Sequence, residues 1–116
     1  MIFKRFFGSP DAADTIGVAE ARRQLDQGEA VLIDVREPDE WAAGHVAGAT
    51  HIPLADLPAR LDEVPRDRPV LLFCRSGNRS GRATAFLRQQ GYRQATNVEG
   101  GIIAWQGAGL PVTRGS

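Results

Sequence analysis

The segment PVLLFCRSGNRSGRATAFLRQQG, residues 69–91, runs from an unbroken apolar stretch through a polar, glycine-containing turn into a string of helix formers. PVLLFC, residues 69–74, reads as a strand covered on both faces, because only a half-exposed strand alternates apolar with polar. GRATAFLRQQG reads as a helix with Ala83 and Leu87 inward and Gly91 as its stop. At the junction stands Cys74, the single cysteine of the chain, with Arg75 and Arg79 close behind it. Strand, turn and helix in that order form the repeating unit of an α/β fold.

The same grammar extends in both directions. VAEARRQLDQG places Val18, Ala21 and Leu25 on one helical stripe and ends at Gly28. AVLIDV, residues 30–35, is a second buried-strand pattern, and THIP near 50–53 is a shorter one. LADLPARLDEVP carries leucine at 54, 57 and 61 and closes at Pro65, so it reads as a helix with Pro58 in its first turn. ATNV, 95–98, reads as a further strand, and GGIIAWQGAG as a short last helix. Strands and helices alternate with brief turns, which predicts an α/β domain with a mostly parallel sheet between helices.

Bulk properties narrow the function. A chain of 116 residues makes one domain, and at this size roughly two-thirds of the unfolded surface becomes buried without staples. Fourteen basic and 14 acidic residues cancel, so no one-signed field marks a nucleic-acid binder. One cysteine excludes an internal disulfide, and His45 and His51 are too few to build a metal site with it. MIFKRFF at the amino terminus has its charges inside the apolar run, unlike a secretory signal, and reads as packing on the domain edge or as a fraying lead. No window reaches the roughly 20 apolar residues of a spanning helix. A cytoplasmic protein without a cofactor is expected, its oligomeric state open.

Cys74 decides the chemistry. A lone cysteine is most often a small buried hydrophobe. This one ends a central strand at the edge where α/β sheets bind ligands, which argues for a reactive, partly exposed thiol. Peptide N–H groups of residues 75–79 curling around the sulfur, with the following helix dipole, would favour thiolate over thiol. Gly77 permits the turn, Ser76, Asn78 and Ser80 offer donors, and Arg75 and Arg79 add charge, either on substrate or as braces. Such a ring suits an anion. Attack on a sulfane sulfur and attack on a phosphate ester both fit, as double displacements through a covalent enzyme.

CRSGNRS resembles the active loop of single-domain rhodanese-like sulfurtransferases. DVREPDEWAAGHVAGATHIP, 34–53, is similar to the amino-terminal signature of that family, and VEGGIIAWQGAGLPV, 98–112, to its carboxyl-terminal one. The resemblance implies a three-layer αβα sandwich around a five-stranded sheet over residues 15–112, with a lead of 1–14 and a tail of 113–116. It also implies a Cys74 persulfide, fed by thiosulfate or a related anionic donor and emptied by a thiol or a protein cysteine. Arg75 through Ser80 then form the cradle. Phosphatase relatives carry cysteine, five residues, then arginine; here Ser80 holds that place and Arg79 comes one residue early, which favours sulfur over phosphorus. A phosphatase, an arsenate reductase and a non-catalytic binding module remain the alternatives.

Other features carry less. His45 and His51 read as turn-fixing hydrogen bonders. Asp34 and Arg36 follow a buried strand and read as an ion pair beside the site. Trp41 and Trp105 read as packing, with Trp105 a candidate for the pocket mouth. GNRSGRAT lacks the spacing and lysine of a phosphate-binding P-loop, and neither GAGLPV nor GNRSG completes a dinucleotide or serine-hydrolase motif.

Overall fold

The computed structural model describes residues 14–115, so the MIFKRFF segment and nearly all of the 1–14 lead lie outside the described residues. Ten elements follow in order: β1 (Thr15–Ile16), α1 (Val18–Asp26), β2 (Val31–Asp34), α2 (Pro38–Ala43) and β3 (Thr50–His51), then a 3₁₀ segment (Leu54–Glu63), β4 (Val70–Phe73), α3 (Asn78–Gln89), β5 (Ala95–Val98) and α4 (Gly101–Gly107). The strands form one five-stranded sheet in the order β1-β5-β4-β2-β3. Every pairing is parallel. The sheet is therefore wholly parallel where the sequence predicts it mostly so.

Two cores sit on the two faces. Ile33, Val35, Leu72, Cys74, Ala83 and Leu87 pack on one, beneath α3 and the 3₁₀ segment. Leu32, Leu71, Phe73, Val98, Ile102 and Trp105 pack on the other, beneath α1 and α4. Successive residues of β4 thus alternate between two buried faces, which is why the strand reads as unbroken hydrocarbon. Each fully buried leucine or phenylalanine there contributes roughly 1.5–3 kcal/mol. The alternation also decides where the sulfur goes, since Cys74 points to the α3 side.

Three elements differ from the sequence reading. The segment after β3 is a 3₁₀ helix with Pro58 in its interior and Arg60 off helical geometry (φ −121°, ψ 27°). Proline has no N–H and its ring crowds the preceding turn, so a continuous α ladder cannot pass it. Helix α2 escapes periodicity because it has six residues, yet its start is chemically explicit: the Glu37 side chain accepts from the Glu40 N–H, the Glu40 side chain accepts from the Glu37 N–H, and Pro38 begins the helix. Strand β1 has two residues, too few for any pattern, and only the family resemblance implies a fifth strand. Beyond α4 the chain returns along α2: His45 and Thr113 exchange backbone bonds of 2.8 and 2.7 Å.

Candidate active site

The loop of Cys74 is set by what happens to its peptide carbonyls. The N–H of Ile102 donates to the Cys74 carbonyl (2.9 Å) and that of Ile103 to the Arg75 carbonyl (3.1 Å). These carbonyls face α4, away from the sulfur. Gly101 makes the approach possible: it sits at φ +52°, and a Cβ there would overlap the Cys74 carbonyl oxygen and lie 2.6 Å from that of Arg75. Gly77 turns the chain at φ +101°, with Gly100 N only 3.2 Å from where its Cβ would be. Both glycines are needed for conformation and space together.

With carbonyls turned out, amides turn in. The Gly77 N–H donates to Cys74 Sγ at 3.1 Å, and Ser80 Oγ lies 3.3 Å from it. Burial pushes the thiol up, but the Ser80 hydroxyl and the N–H groups of Ser80, Gly77 and Ser76 outweigh it and hold the group below its ordinary value. The thiol is more enclosed than its chemistry suggested. Cys74 is 1% exposed, because β4 is covered on both faces. The outer surface of the loop belongs to Arg75, Ser76 and Asn78, all exposed.

The two arginines part company. Arg79 grips Glu40 of α2 through two bonds of 2.7 and 2.8 Å. That contact holds the Glu40 carboxyl down at about 2, so Arg79 braces the loop. Arg75 is exposed and, among the described residues, pairs with no carboxylate. Asp34 and Arg36 form a bidentate, buried ion pair (Nη2 to Oδ2 2.8 Å). Arg36 also donates to the carbonyls of Glu40 (3.3 Å) and Gly44 (2.8 Å). The pair therefore fixes α2, which presents Glu40 to Arg79; it touches nothing at the sulfur itself.

His45 and His51 do hydrogen-bond the backbone, through Nδ1 to the Trp41 carbonyl and Nε2 to the Arg36 carbonyl, each at 2.7 Å. Trp41 stacks with both rings, its centroid 3.6 Å from that of His45 and 4.8 Å from that of His51. Trp105 is not at a pocket mouth over the thiol. It is buried edge-on to Phe73, donates to the Pro111 carbonyl at 2.8 Å, and backs a groove of about 560 Å³ between α1 and the loop before β3. No residue from 74 to 80 lines that groove. Reading of the loop alone also passes over Glu40, Asn97, Gly101 and the first amides of α4. Among the described residues no group of three His, Cys, Asp and Glu side chains could hold a metal ion, and no helix is long and apolar enough to cross a membrane.

Fold and site together define an α/β protein built around an anion-favouring cysteine loop at the carboxyl edge of a parallel sheet. Residues 17–108 match the family model described as rhodanese-like domain, and the chain belongs to the rhodanese family. It is 45% identical over 92 residues to a sulfurtransferase of Allochromatium vinosum, covering 79% of this chain and 86% of that protein. The crystal structure of a rhodanese-related protein from Thermoplasma volcanium is similar with a TM-score of 0.79 at 34% identity, over 85% of this chain and 96% of that one. A protein of unknown function from Rhodopseudomonas palustris, described as a "possible tyrosine phosphatase", is similar with a TM-score of 0.79 at 25% identity, over 86% and 84%.

Proposed function

We propose that the protein is a sulfurtransferase that carries sulfane sulfur on Cys74. The observation that carries this reading is the convergence of the Gly77 and Ser80 donors on Sγ, with the Allochromatium sulfurtransferase as support. In the first half-reaction the thiolate attacks the outer sulfur of thiosulfate or a related donor. An S–S bond forms to Sγ, the donor's own S–S bond breaks, and sulfite leaves with the bonding pair. In the second, an acceptor thiolate attacks the terminal sulfur of the persulfide and departs as its own persulfide, which restores the Cys74 thiolate. Inward amides stabilise the anion at both ends of the cycle without reorganising. Arg75, exposed and without a carboxylate partner among the described residues, serves the incoming anion. Ser76 and Asn78 complete the rim.

A phosphatase is the second reading, because of the Rhodopseudomonas relative. Phosphoryl transfer is helped by a guanidinium on the equatorial oxygens. At the sixth position after the cysteine, where an arginine would supply it, this chain has Ser80 beside the sulfur; Arg79 is occupied by Glu40, and of the loop arginines only Arg75 is without a carboxylate among the described residues. The deciding experiment is intact-mass measurement after incubation with thiosulfate. The protein is expected to gain one sulfur atom, which cyanide or a small thiol removes, and Cys74→Ser is expected to gain none. A wild-type chain that takes no sulfur yet turns over p-nitrophenyl phosphate or arsenate would reverse the assignment; one that does neither, and whose partner binding and cellular function survive Cys74→Ser, is a binding module.

A further inference from the structure

Ser80 Oγ stands between two acceptors, 3.3 Å from Cys74 Sγ and 2.6 Å from Asn97 Oδ1. A hydroxyl has a single hydrogen and can serve only one of them at a time. The other end of the Asn97 carboxamide is tied down, since Nδ2 donates to the Gly77 carbonyl at 3.3 Å, which leaves the oxygen facing Ser80. Ser80 is fully buried and Asn97 nearly so, so water is a poor substitute at either position. We propose that Asn97 is a positioning residue for sulfur transfer: its carboxamide oxygen competes with Sγ for the Ser80 hydrogen, so the hydroxyl follows negative charge onto Sγ and off it again.

In the free enzyme the charge sits on Sγ, and a charge-assisted bond draws the hydrogen there. Once sulfur is bound, the charge resides on the terminal sulfur, and the hydrogen returns to Asn97. Without that second acceptor the persulfide would leave a buried hydroxyl unpaired, which is costly. The inference rests on Cys74 as the nucleophile. Among the described residues the charged groups set around the loop are Arg75 on it, Arg79 and Arg82 on α3, Glu37 and Glu40 at the start of α2, the Asp34–Arg36 pair at the end of β2 and Glu99 after β5; α4 contributes none.

The test is the pH profile of Cys74 alkylation by iodoacetamide in the full chain. Asn97→Leu removes the competitor and is expected to shift the profile to lower pH, with roughly threefold faster alkylation near pH 6. Asn97→Asp grips the hydrogen and adds a negative charge, and is expected to slow alkylation roughly tenfold there. In a Ser80→Ala background Asn97→Leu should give no acid shift. Should the leucine variant not fold, Asn97→Asp decides: its shift must shrink when Ser80 is alanine. An alkaline shift for Asn97→Leu matching that of Ser80→Ala would mean that Asn97 merely braces the loop, and unshifted Asn97 profiles would equally overturn the competition. A wild-type profile at an ordinary thiol value, with the two Asn97 variants still moving oppositely, would instead sink the nucleophile and leave the competition standing.

Discussion

Strands β2 and β4 lie side by side, Asp34 against Phe73, and each is followed within two residues by an arginine that meets a different fate. After β2, Arg36 is buried, paired with Asp34 and fastened to two carbonyls of the α2 region. After β4, Arg75 is exposed and unpaired among the described residues, and the amides beside it face a sulfur. The chemical difference lies at that register position. Asp34 neutralises the cation of its turn inside the protein and makes structure; Phe73 offers no charge, and Cys74 follows it with the Gly77 N–H turned toward its sulfur. One edge of one sheet thus holds a sealed turn and an open one.

The largest effect should come from unsealing the first turn. Asp34→Ala leaves Arg36 buried without a counter-charge and is expected to cost about 3–5 kcal/mol, read as a lower urea midpoint. Replacing Asp34 and Arg36 together by apolar residues of similar volume is expected to cost much less, because no charge is then stranded. If Asp34→Ala proves nearly neutral, the contrast between the two turns is lost.

That contrast also explains what was legible in the sequence. VLLFC followed by RSGNRS locates the site because burial on two faces produces an unmistakable apolar run, and the loop after it is local. β2 is legible for the same reason, and α1 and α3 through helical spacing, helix formers and a glycine stop. The roles of the arginines are not, because Glu40 lies 39 positions from Arg79 and only the fold brings them together. Pairs at such distance leave no periodic trace. Gly101 is visible as half of a glycine pair, but its purpose depends on carbonyls of a loop in another part of the chain. Asn97 looks like an ordinary strand residue until β5 sets it beside Ser80. The capping box of α2 is local but inconspicuous, with glutamate where serine or threonine is commoner.

A middling effect is expected from the link between the two turns. Glu40 belongs to the helix that Arg36 fixes, and it holds Arg79 of the open loop. Its carboxyl lies at about 2 against a usual 4.5. A depressed value stabilises the fold above the unfolded-state value and loses that contribution as pH falls through the folded one. Glu40→Gln is therefore expected to lower stability by about 1 kcal/mol or less at neutral pH, the pair being partly solvated. The gap to wild type should narrow as pH falls from about 4.5 toward 2. Urea melts at stepwise lower pH measure it. A gap that does not change with pH would show that the amide lost packing and not charge.

The smallest stability effect, and the sharpest functional one for its size, belongs to Arg75. Being exposed and, among the described residues, without a carboxylate partner, it should contribute little to the fold, and Arg75→Gln is expected to leave stability within about 0.5 kcal/mol of wild type. If its charge serves an arriving anion, kcat/KM for thiosulfate should fall roughly threefold to tenfold, chiefly through KM, and the difference should close as salt shortens the screening length from about 10 Å at 0.1 M to about 3 Å at 1 M. Reagent charge isolates the cause. Iodoacetate and iodoacetamide are both attacked by the same thiolate with loss of iodide, so a change in thiol ionisation moves both rates together, whereas loss of a steering cation slows the anionic reagent more. Equal slowing of the two would place Arg75 with Arg79 among the braces, and the second turn would then be open only in appearance.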